Sequence, residues 1–257
     1  MIASNAVPGV FGKIPARADF VRRRLPATFL EPWDAWLGLA LARSRADLGL
    51  AWLETYLISP LWCFALSPGV CGPSPVAGVL VPSVDAVNRH FPLTLGSVLG
   101  DGCRPFAIAL AARWFAALED LALAALAERL EPDTIAERLA AIGPPAVPQP
   151  LAGAAVAPGG AGALVRAWPF AAEAEDCQPE QMYPGALDDL AASSIGALSL
   201  WWTRGSDAIE PIVRLYRGLP LEEEFAAFLT SLPPEPAPPQ DVAAAADARP
   251  IALDSGP

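Results

Sequence analysis

The chain has 257 residues, 53% of them hydrophobic and 18% charged, enough to bury the core of one large domain or two small ones. Its net charge is −11, of which residues 1–130 contribute +1 and residues 131–257 contribute −12. Such a chain is repelled by nucleic acid and by anionic membrane surfaces, so we expect neither as a partner.

The first predicted elements are a short extended stretch at residues 7–14 and a helix. Thr28 and Glu31 have the spacing of a capping box, so the helix is expected to begin at Thr28. Apolar side chains then recur at helical period, which predicts one buried face. That face consists of Trp33, Trp36, Leu37, Ala40 and Leu41.

Three strand-like runs follow, at residues 61–66, 76–81 and 92–99. Each ends at a breaker that contains proline or glycine, which predicts neighbouring antiparallel strands. Two helices come next, a long Ala/Leu helix from Pro105 and a shorter one from Asp133. The long helix is predicted to align Leu110, Trp114, Leu118 and Leu121 on one side, and the shorter one to end at Gly143.

Composition divides the chain into four parts. Residues 1–142 form an α/β domain, and residues 143–162, mostly Pro, Gly and Ala, form a linker or long loop. Residues 163–230 form a C-terminal α/β extension packed on the first part, and residues 231–257 form a disordered tail rich in proline. The extension has strand-like runs at 163–168, 194–203 and 211–216, and a last helix after Pro220 that buries Phe225, Phe228 and Leu229.

These elements predict an α/β fold of the α+β type. We expect a mainly antiparallel sheet flanked by helices on both faces, with the C-terminal segment adding strands and a helix. Residues 105–130 are the most apolar long stretch but carry too many charges to span a membrane. The N-terminus lacks the basic flank and apolar region of a secretory signal, so we expect a cytoplasmic protein with reduced cysteines.

Residues 9–20, GVFGKIPARADF, raise the question of nucleotide binding, because Gly12 precedes Lys13, the only lysine in the chain. A P-loop needs a glycine five positions before the Gly-Lys pair and Ser or Thr after it. Val7 and Ile14 occupy those positions, and Pro15 has no N–H to donate to a phosphate. The stretch therefore does not fit a nucleotide site.

The sequence contains few residues that could form a catalytic or metal-binding site. His90 is the only histidine, which excludes sites with several histidine ligands, and we expect neither a metal nor a cofactor. Ser83, Asp85 and His90 share one segment, PSVDAVNRHFP, and leave open a small hydrolase or phosphatase-like enzyme as an alternative function. Three members from one turn make poor triad geometry, and no G-x-S-x-G elbow is present.

Trp201 and Trp202 are adjacent in a strand-like run and should point to opposite faces of the sheet. One can lie in the core, and the other needs cover from a helix, the tail or a partner. The pair is therefore a candidate partner-binding feature.

Several separated segments, in order, resemble the TagF family, an accessory family of bacterial type VI secretion. They are GVFGKIPARADFVRRRLP, EPWDAWL, SPLWCFALSPGVCG, AGVLVPSVDAVNRHFPLTL, SLWWTRGSD and YRGLP, within residues 8–230. The family's opening motif reads G-K-x-P-x-x-G-D-F, and Ala18 replaces its second glycine. Because alanine disfavours positive φ, we expect an ordinary turn at Ala18.

The resemblance implies a non-enzymatic cytoplasmic regulator that represses type VI secretion after translation. The implied partner is the forkhead-associated scaffold protein of the system, with an associated phosphatase as a further partner. An adaptor whose acidic C-terminal half meets a different, basic partner is also left open.

The opening motif is proposed to form a polar rim of Gly12, Lys13, Asp19, Ser83, Asp85 and Arg89. Lys13 and Arg22 could pair with Asp19 and Asp85 across the turn between strand ends. Two interpretations stay open: the rim fixes the loops, or it recognises the scaffold.

Overall fold

The computed structural model describes residues 7–147, 154–155, 166–167, 180 and 182–230. The described residues form a seven-stranded sheet in the order β2-β1-β5-β4-β3-β8-β9, with every neighbouring pair antiparallel. A separate pair consists of β6 and β7. The strands are β1 (Gly9–Gly12), β2 (Val21–Arg23), β3 (Trp62–Leu66), β4 (Val76–Val81), β5 (Leu93–Val98), β6 (Ala154–Ala155), β7 (Arg166–Ala167), β8 (Leu198–Thr203) and β9 (Ile212–Arg217).

Helices cover both faces of this sheet. They are α1 (Ala27–Leu48), α2 (Trp52–Ile58), α3 (Pro105–Ala109), α4 (Ala112–Ala127), α5 (Pro132–Ile142), α6 (Tyr183–Ser194) and α7 (Ala226–Leu229). Short 3-10 turns at Gly49–Ala51 and Glu222–Glu224 precede α2 and α7. None of the helices in the described ranges is long and apolar enough to cross a membrane.

Alternation along each strand produces two separate cores, one on each side of the sheet. In β3, Cys63 and Ala65 face the core that contains the buried side chains of α4 and α5. Trp62, Phe64 and Leu66 face the opposite core, which contains the buried side chains of α1, α2 and α7. The predicted fold class, a mainly antiparallel α+β sheet between helices, is therefore confirmed.

The C-terminal segment extends the sheet of the first part. β8 pairs with β3, β9 pairs with β8, and α7 contacts α1 and α2. Phe225, Phe228 and Leu229 are buried, as predicted for the last helix. Of the strand predicted at 163–168, the described part is β7, which pairs with β6 and not with the main sheet. The predicted tail and nearly all of the predicted linker lie outside the described residues.

The predicted capping box at Thr28 is wrong. α1 begins at Ala27, its N-cap is Pro26 in extended conformation, and no side chain caps it. The Pro26 carbonyl accepts hydrogen bonds from the N–H groups of Phe29 and Leu30, which places Thr28 in the first turn. Pro32 is the sixth residue of α1 and so lies beyond the first turn, where its missing N–H leaves the Thr28 carbonyl without its usual helical donor.

The single long helix predicted from Pro105 is also wrong, because the chain breaks between α3 and α4. Ala111 has a ψ of 48°, outside the helical range, and this turns the chain between the two helices. Leu110, predicted to be buried, is consequently 55% exposed, whereas Trp114, Leu118 and Leu121 are buried as predicted.

Candidate functional site

The polar rim lies where β1, β4 and β5 end or begin, and backbone contact at Gly12 sets its geometry. Gly12 ends β1 with a φ of +127°, a conformation that residues with a side chain rarely adopt. A Cβ at this position would also collide with the Pro92 carbonyl oxygen. The absence of a side chain therefore lets the chain after β1 approach the start of β5.

Lys13 and Asp85 form an ion pair inside this junction. The Lys13 Nζ lies 2.7 Å from Asp85 Oδ2, and the exposed fractions of the two side chains are 7% and 0%. The Arg89 Nε lies at the same distance, 2.7 Å, from the same carboxylate oxygen. Asp85 Oδ1 accepts hydrogen bonds of 2.9 Å from the N–H groups of Val87 and Arg89. One carboxylate therefore orders the β4–β5 connection and anchors the loop after β1 to it.

These donors control the ionisation of Asp85. Burial by itself raises the pKa of a carboxyl group. That effect is outweighed by the hydrogen bonds from Lys13 and Arg89 and from the Val87 N–H, which hold the pKa of Asp85 well below its ordinary value. Asp85 is therefore a carboxylate at neutral pH, with its lone pairs engaged by internal donors.

Ser83 is part of the same buried junction. Its hydroxyl donates a 2.7 Å hydrogen bond to the Lys13 carbonyl oxygen. Its N–H donates to the Tyr56 hydroxyl at 2.9 Å, and that hydroxyl donates to the Ser83 carbonyl at 3.0 Å. Burial raises the pKa of Tyr56, partly opposed by the bond to Ser83, so the phenol stays protonated.

His90 does not assemble a triad with Ser83 and Asp85. Its ring makes edge contacts of 5.8 Å with Trp52 and Tyr56, and it donates no hydrogen bond to Ser83 or Asp85 in the described structure. Burial, followed by the charge of Arg45, lowers the pKa of His90. Within the described residues, no group of three or more His, Cys, Asp or Glu side chains could hold a metal ion.

The predicted pairing of Lys13 with Asp85 is observed, but Arg22 does not join it. β2 pairs with β1 so that Arg22 lies opposite Phe11, and the Arg22 guanidinium lies 5.7 Å from the Phe11 ring centroid. Asp19 and Arg22 are both exposed, and neither forms an ion pair with another described residue. The turn at Ala18 is ordinary, since Ala18 does not have positive φ.

An aromatic cluster beside the junction was missed at the sequence level. The rings of Phe11 and Phe20 stack at 5.9 Å, and Phe91 meets Phe20 edge-on at 4.8 Å. The Lys13 Nζ lies 5.2 Å from the Phe20 centroid. Phe11 and Phe91 are buried, but Phe20 is 49% exposed. The motif GKIPARADF ends in Phe20, which marks an aromatic residue near the junction. The sequence alone does not show that Phe20 meets Phe11 of β1 and Phe91, just before β5.

Trp201 and Trp202 point to opposite faces of the sheet, as predicted, and lie away from the rim on β8. Trp201 is fully buried and stacks on Trp33 with a centroid distance of 5.9 Å, so it presents no surface to a partner. Trp202 is half-buried, and its ring meets Phe115 of α4 at 4.7 Å. The helix therefore supplies the cover that the second tryptophan needed.

The sequence and the fold both resemble known proteins. Residues 9–142 match the family described as "TagF N-terminal domain, Type VI secretion system-associated". The chain is also similar to the crystal structure of PA0076 from Pseudomonas aeruginosa PAO1, with 33% sequence identity and a TM-score of 0.73. That similarity covers 97% of this chain and 99% of PA0076. Among curated proteins, none matches the sequence.

Proposed function

The chain belongs to the TagF family of type VI secretion system-associated proteins, and from that premise we propose that it is a cytoplasmic repressor of type VI secretion. It acts after translation by binding the forkhead-associated scaffold protein of the system and keeping the scaffold from membrane-complex assembly. The observation that carries this proposal is the family match over residues 9–142, extended by similarity to PA0076 over nearly the whole chain.

We further propose that the repressor has no catalytic activity of its own. The geometry supports this, because the groups that a hydrolase would use are already engaged. The carboxylate of Asp85 accepts four internal hydrogen bonds, and the Ser83 hydroxyl donates to a backbone carbonyl. The His90 ring contacts Trp52 and Tyr56 and forms no hydrogen bond with the Ser83 hydroxyl among the described residues.

The test is a secretion assay in the source bacterium. Overproduction of the chain should lower the amount of type VI substrate in the medium, while the cellular amounts of the secretion proteins stay unchanged. Deletion of the gene for this chain should raise the amount of secreted substrate. Unchanged secretion in both strains would contradict the repressor role, and a parallel fall in the amounts of the secretion proteins would contradict action after translation.

A further inference from the structure

We propose that Phe20, Arg22 and Arg89, with Lys13 beneath them, form a docking surface for an acidic segment of a partner polypeptide. We call it the Phe20 surface. This inference rests on the proposed function for the identity of the partner, but the chemistry of the surface is argued from the described residues alone. It assigns to the partner a segment in which an apolar side chain is flanked by carboxylates.

The apolar centre of the Phe20 surface is an aromatic ring that is partly exposed and yet fixed in position by its neighbours. Phe20 leaves about half of its ring exposed, although the chain folds it against two other aromatic rings. Its position is held by Phe11 from β1 and by Phe91, which lies just before β5, and both of these rings are buried. A ring held in this way loses little conformational freedom on binding, which is the property of an anchor residue in an interface.

The charged groups around this ring are the cations Lys13, Arg22 and Arg89 and the carboxylates Asp85 and Asp19, so positive charge is in excess by one. Arg22 is exposed and has no carboxylate partner among the described residues. Lys13 and Arg89 share the single carboxylate of Asp85, which leaves one positive charge over. Asp19 is the exposed carboxylate nearby in sequence. In a chain with a net charge of −11, a locally positive surface favours an acidic partner.

The same geometry argues against a compact phosphate as the ligand. A phosphate site needs convergent backbone N–H groups together with a cation. Here the N–H groups of Val87 and Arg89 and the Lys13 ammonium already bind the carboxylate of Asp85. The groups that remain accessible are guanidinium faces spread around a ring, and these suit carboxylates spaced along a peptide.

The experiment measures binding of the full-length chain to the purified forkhead-associated scaffold of the same organism. The test variants are Phe20→Ala and Arg22→Glu, each with a circular dichroism spectrum and melting temperature to establish folding. The matched controls are Val213→Ala and Arg217→Glu, exposed positions on β9 at the opposite edge of the sheet. We expect each test variant to bind about 30-fold more weakly than wild type, and the controls to bind as wild type does.

A second probe separates failure of this inference from failure of the proposed function. It is a fluorescein-labelled peptide with one leucine between glutamates, compared with the same peptide carrying lysines. Wild type should bind the acidic peptide more tightly at low salt than at high salt, and Arg22→Glu should lose that binding. Scaffold binding that both test variants retain would overturn the docking surface while leaving the repressor role intact. If wild type does not bind the scaffold, the peptide decides: no preference for the acidic peptide would overturn the surface.

Discussion

Lys13 and Asp85, 72 positions apart in the chain, form an ion pair of 2.7 Å in which both side chains are almost completely buried. The pair joins the loop after β1 to the β4–β5 connection, and Asp85 also orders its own loop through the N–H groups of Val87 and Arg89. The opening motif of the chain thus has a clear structural role, which is to lock two loops together at one end of the sheet. The exposed groups that we propose for docking surround this locked junction.

Removing the lysine should destabilise the fold. Lys13→Met leaves the buried carboxylate of Asp85 without its most buried cation, and the melting temperature is expected to fall on the order of 10 °C. The control is Arg43→Gln, which breaks an exposed pair between Arg43 and Asp47 within α1. That control should shift the melting temperature by less than about 2 °C, as exposed pairs contribute little. Equal shifts for the two variants would contradict the role given to the buried pair.

Low pH should remove the contribution of Asp85 to the stability of the fold. Because its pKa in the folded protein is below the ordinary 3.8, its stabilisation is complete above that value and is lost as the pH falls below it. We expect wild type to be more stable than Asp85→Asn at neutral pH, and the difference to shrink as the pH falls from about 4 to about 2. Thermal melts of both proteins across this range measure the effect. A difference that stays constant would show that the carboxylate charge does not act as described.

Asp188 should show the opposite dependence on pH. It is buried on α6 and accepts hydrogen bonds of 2.9 and 3.1 Å from the N–H groups of Phe106 and Ala107 at the start of α3. Burial raises the pKa of Asp188 to about 6, an effect that the two hydrogen bonds partly oppose. A raised carboxyl pKa favours the protonated folded state, so the contribution of Asp188 to stability falls as the pH rises from about 4 to 6.

Two substitutions at Asp188 separate its charge from its hydrogen bonds. Asp188→Asn keeps one of the two oxygen acceptors for α3 and cannot ionise, so it should remove the loss of stability between about pH 4 and 6. Asp188→Ala leaves the two N–H groups without their acceptor and should destabilise by about 1–3 kcal/mol. Urea unfolding at several pH values measures both. The account of this contact fails if Asp188→Asn retains the pH dependence of wild type.

Alanine substitutions at Gly12 and Gly38 should change the stability of the fold in opposite directions. At Gly12 the new Cβ would collide with the Pro92 carbonyl, and φ is +127°, so Gly12→Ala should lower stability by more than about 3 kcal/mol. Gly38 is exposed within α1, and a Cβ there would meet no neighbouring atom within 4 Å, so Gly38→Ala should stabilise by about 0.5–1 kcal/mol. Denaturant unfolding of both variants tests the pair, and tolerance of alanine at Gly12 would contradict the close approach to Pro92.

The sequence predicts the sheet better than it predicts the helices. Strands bounded by proline and glycine fall within a few residues of β3, β4 and β5, because breakers and alternation are local signals. The break at Leu110 and Ala111 had no such signal, since alanine and leucine form helices well on both sides of it. The start of α3 is likewise set by a contact that the local sequence does not reveal, the carboxylate of Asp188 at the N–H groups of Phe106 and Ala107.

The candidate site shows the same limit. Lys13 and Asp85 could be paired at the sequence level because their charges are opposite and each lies next to a strand end. Arg22 could not be placed, because its direction depends on the register of β2 against β1, and β2 has only three residues. The exposed position of Phe20 likewise depends on where Phe11 and Phe91 meet it, and alternation within one strand does not reveal such a contact.

The most direct test of the central claim is a measurement of complex formation between the purified full-length chain and the forkhead-associated scaffold of the same organism. Size-exclusion chromatography with light scattering would give both the mass and the stoichiometry of the complex. The account predicts a stable complex of defined stoichiometry. Two folded proteins that elute separately, and show no heat of binding by calorimetry, would contradict scaffold binding as the mechanism of repression and would direct the search to an associated phosphatase.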